Sequence, residues 1–239
     1  MSGGFPLKCD FCSVSDSAAA VRSLFAVLVA EYGLFAKVPP AAAFTAVSSV
    51  FYLQLDTNNR ITKSVPVSSN EVTSGDVLGH FCAYPCIRVE SRLMVEGRAL
   101  DSQLTLFRQE AEERLSINLV FVRPEQLQAP DRGNEFLHGL RELLIDVASC
   151  VGSTGFLLDY FLDEDPDIES LDAAVITEHL SRVEPVGKRM WRGRNRPGLL
   201  MGIREGLMTL ETLRNVWGPT ASVFASRGFT GLSLIGSPD

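Results

Sequence analysis

The stretch Val50-Phe51-Tyr52-Leu53-Gln54-Leu55, followed by Asp56-Thr57-Asn58-Asn59, decides how the first half of the chain folds. Aromatic and β-branched residues favour strands, and Asp and Asn favour tight turns, so this pattern predicts a strand that ends in a hairpin turn. Residues 61–67 provide the returning strand. Pro66 has no backbone N–H to donate, and it therefore makes this second arm an edge strand.

Segments on both sides of the hairpin extend a β-rich half. Further strands are predicted at Cys86 to Val95 and at Ser116 to Val122. Between them a helix is expected from Asp101 to Leu115, with Asp101 as its cap. Another helix is predicted before the hairpin, after a short loop with Cys9 and Cys12, because apolar residues recur at spacings of three and four. Its apolar stripe consists of Val21, Leu24, Phe25, Leu28, Tyr32 and Phe35.

Helical signals dominate after a linker at Ala129 to Gly133. Asn134 and Asp167 are suitable N-caps for two helices, and Gly152-Ser153-Thr154-Gly155 reads as the end of the first. Pro197 fits the first turn of a last helix, which carries Leu200, Ile203, Leu207, Leu210, Leu213 and Trp217. The predicted class is α+β: an N-terminal helix with an antiparallel β-rich half over residues 1–129, then a mainly α-helical half over residues 130–239. One continuous domain is the alternative.

Size and composition predict a folded protein inside the cell. The chain has 239 residues, 46% of them hydrophobic, which is enough to bury a core. It has no secretory signal, and its most apolar stretch, Leu24 to Phe35, is too short for a membrane span. We expect a cytoplasmic location, with the nucleus as an alternative. The net charge of −7 excludes a protein that coats nucleic acid over its whole surface.

A local basic run is the main candidate for binding. It places five cations around one Trp, the residues being Lys188, Arg189, Trp191, Arg192, Arg194 and Arg196. Arg presents a flat fork of donors to phosphate, and Trp offers a face for base stacking, so the run fits single-stranded nucleic acid. Alternatively, Trp191 packs in the core, and the cations are a solvated connection or pair with the acidic stretch from Asp159 to Asp172, in the same chain or in another copy.

The cysteines suggest a second site. Cys9 and Cys12 form one close pair and Cys82 and Cys86 another, with His80 beside the second pair. Two such pairs can supply the four thiolates of a structural zinc site, which would pin the N-terminal loop to the sheet. The alternatives are buried thiols that act as small hydrophobic groups, or redox chemistry.

No enzyme signature is evident, and three classes of function remain. The chain lacks the nucleophile-elbow, zinc-protease, phosphate-loop and dinucleotide-binding motifs, and Glu142 reads as an ordinary solvated helix residue. The first class is a structural or assembly protein that binds nucleic acid, as in a viral capsid, nucleocapsid or accessory role. The second is a protein-interaction adaptor without nucleic acid, and the third an enzyme of unrecognised type. Self-association or a protein partner is expected, because the opposite charge blocks suit association and the last twenty residues are apolar enough to dock on the core or on a neighbouring subunit.

Overall fold

Ten strands and two helices make up the described part of the protein. In this computed structural model the strands are β1 Leu7–Cys12, β2 Ser49–Leu55, β3 Ile61–Pro66, β4 Cys86–Val95, β5 Arg98–Gln109, β6 Arg114–Phe121, β7 Gly155–Tyr160, β8 Leu200–Arg204, β9 Ser222–Ser226 and β10 Phe229–Ser233. The helices are α1 Ala18–Ala30 and α2 Gly133–Cys150. The structure describes residues 7–12, 14, 18–34, 49–55, 61–66, 79, 84, 86–109, 114–122, 133–160, 200–209, 211–212 and 222–233.

All ten strands belong to one antiparallel sheet. Their order is β3-β2-β4-β5-β6-β1-β7-β8-β10-β9, so β3 and β9 are its edges. The N-terminal strand β1 lies between β6 and β7, where Cys9 is opposite Leu119 on one side and Leu158 on the other. The sheet therefore includes strands from both sides of residue 130.

Both helices cover the same face of the sheet. The apolar stripe of α1 buries Val21, Leu24, Phe25 and Leu28, as its spacing predicts. The buried face of α2 includes Phe136, Leu140, Leu143, Leu144 and Val147, and these residues share one core with β4, β5, β6, β7 and β10.

The sheet is strongly curled around α2. Between β5 and β10 lie four strands, so a flat sheet would separate these two strands by about 24 Å. Yet Gly139 of α2 lies against Glu96 in the β4–β5 turn, and Asp146 of the same helix pairs with Arg227 in the β9–β10 turn. These two helix positions are only about 10 Å apart. The sheet twist therefore brings two distant hairpin turns onto one helix.

The mainly helical second half was a wrong prediction. Residues 200–204, assigned to the start of the last helix, form β8, which pairs with β7 and β10. Leu200, Met201, Gly202 and Ile203 are all buried, so the strand has no polar alternation to distinguish it from a buried helix. Gly206 then adopts a φ of 91° just after the strand, and among the described residues of the predicted helix only 211–212 are helical. The predicted helix that begins at Asp167 lies outside the described residues.

The helix predicted from Asp101 to Leu115 was also wrong, because β5 occupies most of this range. Leu100, Leu104 and Leu106 are buried on alternate positions, which is the period of a strand. Ser102 takes the remaining inward position and conceals that alternation. Its hydroxyl is buried and donates to the Ser91 carbonyl at 3.1 Å, so the sheet accepts a polar residue there.

Several local predictions are confirmed. The pair β2 and β3 is the expected hairpin, with β3 at the edge, and β4 spans Cys86 to Val95 as predicted. The expected helix end is also present: Gly152 has a φ of 68°, and the Ser153 N–H donates to the Ala148 carbonyl at 2.8 Å. In contrast, the N-terminal loop predicted around Cys9 and Cys12 is strand β1.

Two glycines allow buried aromatic rings to pack closely against the backbone of β8 and β10. Gly202 of β8 and Gly231 of β10 are opposite each other in register. A Cβ on Gly202 would lie 2.4 Å from the Phe156 ring, and one on Gly231 would lie 2.0 Å from the Met201 carbonyl oxygen. Because neither residue has a Cβ, the buried Phe156 and Phe224 rings pack directly against the backbone here.

Candidate functional site

The predicted basic run, from Lys188 to Arg196, lies outside the described residues, but the sheet fixes where its connection begins and ends. That connection covers residues 161–199, leaving β7 after Tyr160 and entering β8 at Leu200. The two strands are hydrogen-bonded neighbours, with Leu158 opposite Leu200. The connection therefore leaves and returns at the same end of two adjacent strands.

This connection is much longer than the fold requires. Adjacent antiparallel strands can be joined by a two-residue turn, as β9 and β10 are by Arg227 and Gly228. Both charged segments of the chain lie in this single insertion, apart from Asp159 at the end of β7.

The sheet face opposite the helices does not offer free cations in its central strands. Three ion pairs lie on this face, with N···O distances of 3.1 Å for Lys8–Asp10, 3.2 Å for Arg88–Glu90 and 2.7 Å for Arg92–Asp101. Each cation is compensated by a neighbouring carboxylate, so the surface is mixed rather than positive. It is a poor site for a polyanion.

A cluster of polar residues joins three distant parts of the chain at the helix layer. The Tyr32 hydroxyl, just after α1, donates to Asp146 Oδ2 at 2.6 Å, and the Arg227 guanidinium pairs with Asp146 Oδ1. Arg227 Nε also lies 3.2 Å from Glu142 Oε2, and the Ser226 hydroxyl donates to Glu142 Oε1 at 3.3 Å. The cluster therefore fastens the β9–β10 turn to α2 and to the end of α1.

Glu142 and Asp146 are one helical turn apart, so both face this turn. The side chain of Glu142 is only 15% exposed, which contradicts its interpretation as a solvated residue. A sequence signal for the turn exists: Arg227-Gly228 lies between two apolar segments, and a two-residue turn that contains Gly is typical of a tight hairpin. Nothing in the sequence indicates that the turn meets α2.

The Tyr32 hydroxyl gives the cluster a pH dependence. Burial and, after it, the hydrogen bond to Asp146 raise the pKa of Tyr32 above its ordinary value. The neutral phenol therefore contributes stability that is fully present below the unfolded-state pKa of about 10 and is lost as the pH rises towards the folded-state pKa. We expect the free energy of unfolding to fall between about pH 10 and 11, and Tyr32→Phe to lessen that fall. Urea unfolding of the unmodified protein and of Tyr32→Phe across this pH range measures the free energy of unfolding. An equal fall in the two proteins would show that the Tyr32 hydroxyl is not its source.

The cysteines of the predicted zinc site are only partly described. Cys9 is buried in β1 on the helix side, and Cys86 is buried at the start of β4. Register places Cys9 in line with Val89, three residues from Cys86, so the two cysteines belong to opposite faces of the sheet. Burial also raises the pKa of the Cys86 thiol to about 11, which favours the neutral thiol.

The structure thus does not bring Cys9 and Cys86 together. The side chain of Cys12, and all of His80 and Cys82, lie outside the description, so the full set of four ligands stays a prediction. Among the described residues no group of three or more His, Cys, Asp and Glu is arranged to hold a metal ion.

His138 is exposed on α2. Neither α1 nor α2 has the continuous apolar length needed to span a lipid bilayer, and the described residues include no other helix that has it.

Comparison of the chain with protein-family models, curated proteins and solved structures finds no match.

Proposed function

We propose that this chain is a non-enzymatic assembly or interaction protein that binds single-stranded nucleic acid through the basic run in its 161–199 insertion. The observation that carries the proposal is the insertion itself. It joins two strands that are already adjacent, and it contains the five-cation run. The sheet does not need this segment for its connectivity, and within it the basic run concentrates five cations in nine residues, a local charge that suits phosphate.

Charge on the rest of the protein supports the same choice of surface. The chain is acidic overall at −7, and Lys8, Arg88 and Arg92, on the sheet face opposite the helices, are paired with carboxylates. A nucleic acid strand would therefore be repelled by most of the molecule, including the acidic part of the insertion, and attracted at the basic run. Such localised attraction predicts a moderate salt dependence rather than that of a strongly basic protein.

The double substitution Arg192→Glu and Arg194→Glu is expected to abolish binding of a fluorescent single-stranded oligonucleotide. If five cations meet phosphates, the slope of log affinity against log salt is about −3.5, so affinity falls about 100-fold between 50 and 200 mM salt. Fluorescence anisotropy as a function of salt measures both quantities. The absorbance ratio at 260 and 280 nm of the purified protein tests for nucleic acid that co-purifies.

A matched control changes the same net charge elsewhere. Arg22→Glu with Lys63→Glu alters two exposed cations on α1 and β3, and it should leave binding within about twofold, since long-range effects are screened at 0.15 M salt. A flat salt response of the unmodified protein, or equal losses in the two double variants, would reject the proposed site.

A second candidate function is a protein-interaction adaptor that binds no nucleic acid. The uncharged edge strand β9 favours this alternative, because such an edge can accept a further strand. Pairing of the basic run with the acidic stretch of another copy is a third arrangement. It predicts a molecular mass that decreases as salt increases, which light scattering in the same salt series detects.

A further inference from the structure

The two edges of the sheet differ in how well they resist strand addition. Edge strand β3 carries exposed Lys63 and ends at Pro66, two features that discourage pairing with another chain. Edge strand β9 has the sequence Ser222-Val223-Phe224-Ala225-Ser226, without charge and without proline. Natural sheets usually protect an exposed edge from pairing with another chain. The lack of charge and proline in β9 therefore favours a strand that pairs with a partner.

The tight hairpin defines which backbone groups of β9 point outward. Arg227 and Gly228 have φ values of 47° and 77°, the pattern of a type I′ turn, and Ser226 is opposite Phe229 at its base. Hydrogen-bonded pairs alternate along an antiparallel ladder, so Ser226 and Phe224 bond to β10, and Val223 and Ala225 direct their N–H and C=O groups away from it. No described strand pairs with this outer side, and Ala225 is exposed.

Contacts within the chain already hold edge strand β9 in place. Arg227 is fastened to Glu142 and Asp146 of α2 at the base of the strand. The Phe224 ring is buried, and the Arg141 guanidinium lies 4.9 Å from its centroid. A strand fixed in this way loses little conformational freedom on pairing, which favours association.

We propose that β9 pairs antiparallel with β9 of a second copy of this chain, around a two-fold axis at Phe224. The sequence of β9 is nearly palindromic, with Ser222 and Ser226 at the ends and small apolar residues on both sides of Phe224. In this register Val223 lies opposite Ala225 of the partner subunit, and Ala225 opposite the partner's Val223. The outward-facing groups of both residues then form four hydrogen bonds, and the two sheets become one of twenty strands.

Self-pairing explains the strand better than an unrelated partner does. An isologous interface requires one surface to complement itself, and a palindromic, uncharged strand meets that requirement without like-charge repulsion. This inference rests on the assembly role proposed above, and it specifies the partner as a second copy. It is separate from the basic run, because β9 lies two strands away from β8, where the insertion ends.

The Ala225→Pro substitution tests the pairing in the full chain. Pro removes an outward N–H that β10 does not use, so the monomer fold tolerates it while the partner strand loses a hydrogen bond and meets the ring. We expect the unmodified protein to show twice the 26.1 kDa chain mass by light scattering, and this variant to show the single mass. Ser64→Pro on β3 is the matched control, since it alters the other edge and should leave the dimer intact.

A charge pair keeps the test decisive if the Pro variant does not fold. Ala225→Lys and Ala225→Glu place charged side chains on the same sheet face about 7 Å apart across the axis. Each variant alone should be monomeric, and an equal mixture should recover the dimer. A monomeric unmodified protein, a folded Ala225→Pro variant that stays dimeric, or a mixture that stays monomeric would overturn the proposal.

The two proposals fail in different ways. The Arg192→Glu and Arg194→Glu variant should remain a dimer, because β9 is unchanged. A monomeric protein that binds the oligonucleotide would remove the β9 pairing and leave nucleic-acid binding intact. A dimer that does not bind the oligonucleotide would remove nucleic-acid binding, leave the β9 pairing intact and favour the adaptor function.

Discussion

Asp146→Ala is expected to lower the free energy of unfolding by about 3 kcal/mol, because it removes the acceptor of a buried phenol and one anchor of the β9–β10 turn. Tyr32 is 8% exposed, so without Asp146 its hydroxyl loses a partner that water cannot fully replace. The Arg227 side chain is 55% exposed, and its ion pair therefore contributes less than about 1 kcal/mol. Most of the loss should come from Tyr32.

Urea unfolding followed by circular dichroism measures the effect. Tyr32→Phe alone should cost about 1 kcal/mol, and the double variant should show a coupling of about 1 to 2 kcal/mol between the two side chains. Glu135→Ala, at an exposed position of the same helix, is the matched control and should stay within about 0.5 kcal/mol of the unmodified protein. A cost for Asp146→Ala below about 1 kcal/mol would show that Asp146 does not stabilise the buried Tyr32 hydroxyl.

Local sequence patterns were informative where the polar and apolar positions alternate or where a turn is marked. The β2–β3 hairpin follows from its Asp and Asn turn, and α1 follows from its spacing of three and four. Strand β5 was mistaken for a helix because Ser102 occupies an inward position and is satisfied only by the Ser91 carbonyl of the next strand. A contact between strands cannot be read from either segment alone.

The second half was misassigned for a related reason. Strand β8 is buried on both faces, and its pairing with β7 becomes evident only when the chain returns after the long 161–199 insertion. Burial on both sides removes the alternation that marks a strand at a surface. The cluster of Tyr32, Asp146 and Arg227 could not be predicted either, because its members are distant in sequence and meet only through the curl of the sheet.

Gly231→Ala is expected to cost more than about 3 kcal/mol, at the upper end for an overpacked core. An added Cβ would lie 2.0 Å from the Met201 carbonyl oxygen and 2.4 Å from the Phe224 ring. The carbonyl belongs to β8, which is hydrogen-bonded between β7 and β10, so it cannot retreat without breaking the ladder. Thermal and urea unfolding measure the loss. Gly79→Ala is the control: an added Cβ contacts no atom within 4 Å there, and because Gly79 is helical the change should be neutral or slightly stabilising.

Gly202→Ala separates a backbone clash from a side-chain clash at the same sheet position. There the added Cβ would meet the Phe156 ring at 2.4 Å, and no backbone atom is among its nearest contacts. Phe156→Leu should therefore recover part of the stability lost in Gly202→Ala, after allowance for its own cost, while Phe224→Leu should recover little in Gly231→Ala. Equal recovery in both pairs would mean that β8 and β10 can separate locally, and that the glycine pair does not set their spacing.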